Sequence, residues 1–138
     1  MHNTFEVDTS GPGMIDITAP VARWLRGAGD GAVVLMIQHT SASLLIQENA
    51  DPDVQTDMLA WLARIAPSAD NPSMSYLRHR AEGPDDMPAH LRAAVLPTSL
   101  HIPVAEGRMR LGTWQGIYVI EHRTRPHRRR VVATFVGA

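Results

Sequence analysis

The sequence contains no cysteine and no lysine, and each absence excludes a class of chemistry. Without cysteine the chain can form no disulfide, offers a metal ion no thiolate ligand and has no cysteine nucleophile. Without lysine it can form no Schiff base and has no P-loop lysine for phosphate. All 13 basic residues are arginine. Arginine, histidine, backbone amides or a metal ion would therefore have to bind any phosphate group.

Long apolar segments and an excess of charge are also absent. No run of eighteen apolar residues occurs, so no membrane-spanning helix is expected. The first residues, MHNTFEVDTSGPG, lack the charged start and apolar segment of a signal peptide. The net charge of -1 is not typical of a nucleic-acid-binding protein. We therefore expect a cytoplasmic protein that binds neither membranes nor nucleic acid, and the lack of cysteine favours the same location.

The 138 residues are enough for one domain with its own core. Three short helices are predicted: one capped by Thr18, one capped by Asp51 with Pro52 at its first position, and one capped by Asp85 or Asp86. Short β-rich segments are separated by turn residues, and the predicted strands are 4–8, 14–17, 32–38, 43–48, 99–104, 109–123 and 130–136. Together these elements predict a single α+β domain over residues 1–138.

Three of the seven histidines are candidate metal ligands. His39 ends an apolar strand and is followed by hydroxyl residues, whereas His79 and His90 flank the Gly83-Pro84 turn in the segment RHRAEGPDDMPAH. Zinc binds histidine through either ring nitrogen, and catalytic zinc sites keep three protein ligands and one open position. The spacing matches no diagnostic zinc signature, so a hydrogen-bonded polar turn without metal stays an alternative.

Other polar residues near these histidines are candidates for supporting roles. One of Asp85 and Asp86 is expected to cap the helix, which leaves the other free to contact a histidine ring or a metal ion. Glu48 is expected either to pair with an arginine or to act as a general base. Gln115 lies between glycines in GTWQG, and these would let a ligand or a partner backbone approach closely.

The arginine-rich segment HRTRPHRRR, residues 122–130, precedes the last strand. We expect a solvated hairpin tip here. The alternative is an anion-binding patch, because arginine pairs well with phosphate oxygens.

Four strings resemble successive signatures of the YjbQ family, also called the secondary thiamine-phosphate synthase family. In chain order they are QHTSASLLIQENADPDVQTDM, YLRHRAEGPDDMPAHLRAAVL, SLHIPVAEGRMRLGTWQGIYVIEHR and RRVVATFVGA. The resemblance runs from Gln38 to the C-terminus. It implies an α+β fold in which two sheets pack as a pseudo-barrel with short helices, and a homotrimer with a site near the subunit interface.

The resemblance also implies a site and an activity. A divalent metal ion, zinc or magnesium, would be bound by His39, His79 and His90. The other candidate residues are, for catalysis, Glu48, Asp86, Arg108 and Gln115, and, for ligand binding, Ser41, Asn49 and Arg78, with Arg108 or Arg78 expected to contact an anion. The family activity joins hydroxymethylpyrimidine diphosphate to a thiazole phosphate and releases pyrophosphate, so the expected substrate is a small phosphorylated molecule. A metal-assisted hydrolase of a phosphate or ester, and a non-catalytic metal- or ligand-binding protein, stay open as alternatives.

The chain departs from the family pattern at two places. His101 stands where the family has a small or β-branched residue, and the chain ends in Gly137-Ala138 where many relatives end in Gly-Glu. Any contribution of that glutamate to the family site is therefore altered in this chain.

Overall fold

The computed structural model describes residues 1–138 and contains eight strands and three α-helices. A single 3-10 turn at Pro72–Met74 precedes the last helix. In chain order the elements are β1 (His2–Thr9), β2 (Gly13–Asp16), α1 (Thr18–Trp24), β3 (Gly31–Ile37), β4 (Ala42–Glu48), α2 (Pro52–Ile65), α3 (Asp86–Ala94), β5 (Ser99–Ala105), β6 (Arg108–Met109), β7 (Gln115–Glu121) and β8 (His127–Gly137). The predicted α+β class is confirmed.

The strands form two antiparallel sheets that pack face to face. The larger sheet has the order β1-β8-β3-β5-β6, and the smaller has the order β2-β7-β4. Alternate residues of β3, such as Val33 and Leu35, are fully buried and share one core with Leu44, Ile117 and Val119 of the smaller sheet. Each such side chain stabilises the fold by roughly 1.5–3 kcal/mol. The two sheets form a half-barrel, which agrees with the predicted pseudo-barrel.

The central strand β3 approaches β8 so closely that one position must be glycine. A Cβ atom on Gly31 would lie 2.1 Å from the carbonyl oxygen of Val136. This glycine therefore allows β8 to pair with β3 along its whole length.

The topology gives the half-barrel two ends with different chemistry. β4 pairs with β7 so that Ala42 is opposite Glu121 at one end and Glu48 is opposite Gln115 at the other. A strand rises roughly 3.4 Å per residue, so these ends are about 20 Å apart. The first end, where β3 leads into β4 and α3 contacts the connection, is called the histidine end. The second is called the Trp114 end.

Several element boundaries differ from those predicted. β1 and β8 are longer than expected, and the predicted strand 109–123 is two strands, β6 and β7, separated by a loop. The segment before the Gly83-Pro84 turn, which contains His79, has no regular structure. The longest helix has 14 residues, and no helix is long and apolar enough to cross a membrane.

Two helix starts follow different rules. Asp51 caps α2 as predicted, because its side chain accepts a hydrogen bond from the Asp53 amide at 2.9 Å. Thr18 does not cap α1 but is its first residue. Its own amide donates to Asp16, and its hydroxyl accepts the Ile117 amide at 2.8 Å. The threonine therefore joins α1 to β7 instead of capping the start of the helix.

Candidate functional site

Three ligand-type side chains converge at the histidine end. One ligand atom each from His79, Asp86 and His90 lies within 4.8 Å of the other two. Asp86 Oδ2 is 2.7 Å from His79 Nε2 and 3.2 Å from His90 Nε2. Asp86 and His90 are four residues apart in α3 and so lie on one helix face, while His79 approaches from the preceding loop.

Asp86 is held in place from behind by an arginine. Its side chain is only 1% exposed, and its Oδ1 atom is 2.8 Å from Arg123 Nη1. Burial would raise the pKa of Asp86, but the hydrogen bond with His79 and the positive charges of His90 and Arg123 lower it below its ordinary value. The cluster therefore contains a buried carboxylate ion at its centre.

His90 turns its Nε2 atom towards this carboxylate. Its Nδ1 atom is 2.9 Å from the Thr40 carbonyl oxygen. A carbonyl can only accept, so Nδ1 carries a hydrogen, and Nε2 carries a second hydrogen in the charged ring or a lone pair in the neutral ring. Nε2 lies 3.2 Å from Asp86 Oδ2. Either a proton or a metal ion between these two atoms is compatible with this distance.

The start of α3 explains how Asp86 and His90 are aimed. Asp85 occupies the N-cap position, yet neither it nor Asp86 caps the helix by a side-chain hydrogen bond, which corrects the predicted cap. Asp85 Oδ2 instead accepts from Arg123 Nε at 2.9 Å and from the Thr124 amide at 3.0 Å. Burial would raise the pKa of Asp85, but these bonds hold it far below its usual range. The connection between β7 and β8 thus fixes the beginning of the helix.

His39 lies at the same end but outside the cluster. Its Nε2 accepts the Arg130 backbone amide at 2.9 Å, and its Nδ1 is 3.3 Å from Arg129 Nη1. Burial and the charge of Arg129 lower the pKa of His39, which keeps the ring neutral. Both ring nitrogens therefore face nitrogen donors of β8, and the predicted ligand role of His39 stays a prediction.

A buried ion pair lies beside His39 that sequence reasoning missed. Arg129 Nε donates to Glu121 Oε1 at 2.8 Å, and Arg129 Nη2 donates to Ser41 Oγ at 3.0 Å. Thr9 also donates to Glu121 at 2.6 Å. Burial would raise the pKa of Glu121, but the bonds from Arg129 and Thr9 lower it. Ser41, predicted to bind ligand, is thus a partner of this ion pair.

The expected solvated tip at residues 122–130 is only partly correct. Arg125, Arg128 and Arg130 are exposed. Arg123 and Arg129, however, are only 6% and 3% exposed. The signal that could have revealed the ion pair is Glu121, because a carboxylate that ends the buried run 117–120 needs a cationic partner.

Three other predicted site residues meet at the Trp114 end. Asn49 donates its backbone amide to the Trp114 carbonyl at 2.9 Å, and Gln115 Oε1 accepts the Gly112 amide at 2.7 Å. Glu48 Oε2 accepts the Asp51 amide at 3.3 Å and forms no ion pair with arginine. Glu48 and Trp114 line a cavity of about 440 Å³. Within one chain, the length of β4, about 20 Å, separates these residues from the histidine end.

The two remaining predicted residues are exposed arginines. Arg78 precedes His79 and forms no side-chain hydrogen bond or ion pair within the chain. Arg108 lies in β6 and lines a separate cavity of about 490 Å³ together with Arg26. The structure therefore unites His79, Asp86 and His90, places His39 and Ser41 beside them, and leaves Arg108 elsewhere.

The assignment to a family rests on a match over almost the whole chain. A family model described as "UPF0047 protein YjbQ-like" matches residues 3–138. The chain belongs to the YjbQ family. The UPF0047 protein sll1880 of Synechocystis is 50% identical over 111 residues, which cover 80% of this chain and 73% of that protein. The UPF0047 protein YjbQ of Escherichia coli O157:H7 is 46% identical over 107 residues, which cover 78% and 74%.

Two solved structures share the fold. A yjbq/upf0047 family protein from Clostridium acetobutylicum superposes with a TM-score of 0.84 at 33% identity, covering 97% of this chain and 99% of that one. The protein APE1520 from Aeropyrum pernix K1 gives a TM-score of 0.87 at 27% identity, covering 100% and 99%. The half-barrel of two sheets is therefore the fold of the YjbQ family.

Proposed function

We propose that His79, Asp86 and His90 bind one divalent metal ion, and that this site acts on a small phosphorylated molecule. The observation that carries the proposal is the convergence of one ligand atom from each residue within 4.8 Å, with His90 Nε2 at 3.2 Å from the buried Asp86 carboxylate while Nδ1 donates to the Thr40 carbonyl. Histidines that bind metal ions commonly donate their other N–H group to a carbonyl or carboxylate in this way. Two imidazoles and one carboxylate favour zinc over magnesium, which prefers oxygen ligands.

The protein residues have distinct parts in such a site. Arg123 holds the Asp86 carboxylate ionised and in position. Thr40 fixes the orientation and tautomer of His90. The His79 side chain is 48% exposed, so the cluster is open to solvent and to a substrate on that side. A bound metal ion would supply a Lewis acid that neutralises charge on phosphate oxygens.

A neighbouring cavity supports the choice of a small phosphorylated substrate. Its volume of about 430 Å³ is within the usual range for small-molecule sites, and its lining includes His39, Thr40, Ser41 and Arg129. Thr40 connects this cavity to the metal-binding cluster through its bond with His90. The hydroxyl groups of Thr40 and Ser41 can donate to phosphate oxygens there, whereas the charge of Arg129 is already paired with Glu121.

Thiamine-phosphate synthase chemistry is the specific activity that we propose. Displacement of pyrophosphate from the pyrimidine methylene carbon passes through a loose, cation-like transition state. The protein must mainly position the two substrates and neutralise the leaving group. A divalent ion together with arginine can do both. A metal-assisted hydrolase of a phosphate or ester needs the same parts, which makes it the second candidate.

We also propose that the chain works as a cytoplasmic homotrimer with the site near a subunit boundary. Large apolar side chains are exposed on the single chain, among them Trp61 at 55% and Trp114 at 63%. Exposed apolar residues of this size are typical of interfaces. In a trimer the Glu48 and Gln115 residues of one subunit can approach the histidine end of the next, although they are about 20 Å from it within a chain.

The proposed activity can be tested by combining metal loading with two reactions. Zinc-loaded wild-type protein is incubated with hydroxymethylpyrimidine diphosphate and thiazole phosphate, or with a simple phosphate ester, and products are followed by mass spectrometry. We expect metal-dependent turnover of one substrate set, which His79→Ala abolishes. His101→Ala, which changes an exposed histidine in β5, serves as the matched control. Turnover that is equal with and without metal, or unaffected by His79→Ala, would overturn the proposal.

A further inference from the structure

Another polar cavity lies on the other side of Arg123 from the cluster of His79, Asp86 and His90. It is lined by a buried histidine that the proposed function does not use. His122 is only 2% exposed, and its Nε2 is 2.9 Å from Ser43 Oγ. Its other ring nitrogen, Nδ1, has no hydrogen-bond partner within the chain. Every side-chain nitrogen or oxygen that is fully shielded from solvent does have such a partner, so Nδ1 is not fully shielded. Nδ1 therefore opens on the cavity of about 240 Å³ that His122 lines.

The groups that remain free at this cavity are hydrogen-bond donors. Arg92 donates Nε and Nη2 to the Ala66 carbonyl, which leaves Nη1 without a partner. Ser68 Oγ accepts the Asp70 amide and keeps its own hydrogen to donate. The remaining lining residues are Pro84, Asp85, Pro88 and Thr124.

The one carboxylate at the cavity has its hydrogen-bond partners within the protein. Asp85 pairs with Arg123, which it shares with Asp86, at 2.9 Å and also accepts the amide and hydroxyl of Thr124 at 3.0 and 3.1 Å. Arg92, in contrast, forms no ion pair and lines the cavity with one N–H group unused. The cavity therefore offers hydrogen-bond donors, one of them charged, to a ligand.

We propose that this cavity binds a small oxyanion, a phosphate or a carboxylate, through Arg92 Nη1 and the Nδ1–H group of His122. In the required tautomer, the Ser43 hydroxyl donates to Nε2 of His122 and leaves Nδ1 to donate into the cavity. A volume of about 240 Å³ holds about eight waters at roughly 30 Å³ each, which is enough for a small anion and its hydration.

At neutral pH the His122 ring is uncharged, so it carries one N–H group and can donate one hydrogen bond. Burial and the charge of Arg92 lower the pKa of His122 to about 4. The site is also distinct from the metal-binding cluster, because the Arg123 guanidinium stands between Asp85 on one side and Asp86 on the other. Anion binding here does not depend on the metal.

The experiment uses inorganic phosphate and acetate as separate probes on full-length protein stripped of metal with a chelator. Binding is measured by calorimetry, and the ring nitrogens of His122 are followed by ¹⁵N NMR. We expect saturable binding of phosphate, acetate or both, with a shift of the His122 Nδ1 resonance; the stronger probe identifies the oxyanion. Arg92→Gln should weaken binding about tenfold or more, because it removes a charge-assisted hydrogen bond. Arg64→Gln, an exposed arginine in α2, should bind as the wild type does.

Two results would overturn the proposal. One is the absence of any saturable shift of the His122 resonance in wild-type protein, a measurement that needs no variant to fold. The other is equal weakening by Arg92→Gln and Arg64→Gln, which marks an unspecific charge effect. The His79→Ala variant should keep its phosphate affinity, so that failure of the metal-binding proposal is distinguishable from failure of this one.

Discussion

At the scale of single residues, the buried pair of Glu121 and Arg129 determines how the histidine end is built. The side chains are 0% and 4% exposed, so neither charge is screened by water. Arg129 also contacts Ser41 and His39, which lie in the connection between the two sheets. Desolvation of both charges is costly, but removal of one partner costs more, because the other is then buried without compensation.

We predict that Arg129→Met lowers the free energy of unfolding by about 3–5 kcal/mol, measured by urea denaturation. Arg128→Met is the matched control in the neighbouring position. Arg128 is exposed and pairs with Asp8 at the surface, so its loss should leave the free energy of unfolding nearly unchanged. Equal effects of the two variants would contradict the account of this ion pair.

The buried His122 predicts a specific dependence of stability on pH. Its pKa is about 4 in the folded protein because of burial and Arg92, against 6.5 for the unperturbed group. Between these values the unfolded chain takes up a proton that the folded chain does not. Stability should therefore be unaffected above pH 6.5 and should fall as the pH drops from 6.5 towards 4, by up to about 3 kcal/mol in total.

This dependence is measured as the difference in unfolding free energy between pH 7.5 and pH 5 in a buffer free of phosphate. His122→Gln, whose amide can still bond to Ser43, should show a smaller loss than the wild type. An identical loss in both proteins would show that other groups cause it.

Residues of the candidate site were predictable where their partners are close in sequence. His79, Asp86 and His90 come from one short segment, so the sequence indicates their convergence. The partners of Arg123 and Arg129 are set by tertiary structure. Arg123 reaches Asp85 across 38 positions, and Arg129 reaches Ser41 across 88. No local pattern distinguishes these buried arginines from their exposed neighbours.

At the scale of secondary structure, helix starts were predictable only where the cap is local. Asp51 and Asp53 are adjacent to Pro52, and the predicted cap of α2 is confirmed. Thr18 and Asp85 are equally suitable by residue type, but their side chains bind the Ile117 amide and Arg123 instead. Tertiary partners therefore outcompete the helix end for both side chains.

The cap of α2 makes a prediction at this scale. Asp51→Ala should lower the free energy of unfolding by about 1 kcal/mol, because the Asp53 amide loses its partner. Asp57→Ala replaces an exposed residue inside the same helix and should have little effect, since alanine favours helix formation. Chemical denaturation of both variants measures the difference, and a loss for Asp57→Ala as large as that for Asp51→Ala would contradict the assignment of the cap.

At the scale of the whole molecule, the two-sheet architecture was predictable but the separation of its two ends was not. The candidate catalytic residues Glu48 and Gln115 lie at the opposite end of β4 and β7 from the histidine end, about 20 Å away along the strands. The pairing of β4 with β7 determines this distance. Composition does not specify the register of that pairing. The proposed association of subunits would bring the two ends together.

The proposed trimer gives a direct expectation in solution. Light scattering at micromolar concentration should give about three times the chain mass of 15.2 kDa. Trp61→Glu, which places a charge at an exposed apolar position of α2, should shift the population towards monomer on dilution. A wild-type protein that is monomeric across this range would contradict the trimer and the proposed contact between the two ends.

Zinc titration of metal-free protein tests the central claim most directly. By calorimetry, the wild type and the His101→Ala control should each bind one zinc ion per chain. His79→Ala and His90→Ala should weaken binding by more than about 100-fold, because residues that only support metal ligands are already worth 10–100-fold. Absence of zinc binding to the wild type, or equal affinity in all four proteins, would show that His79, Asp86 and His90 form a hydrogen-bonded polar turn and not a metal site.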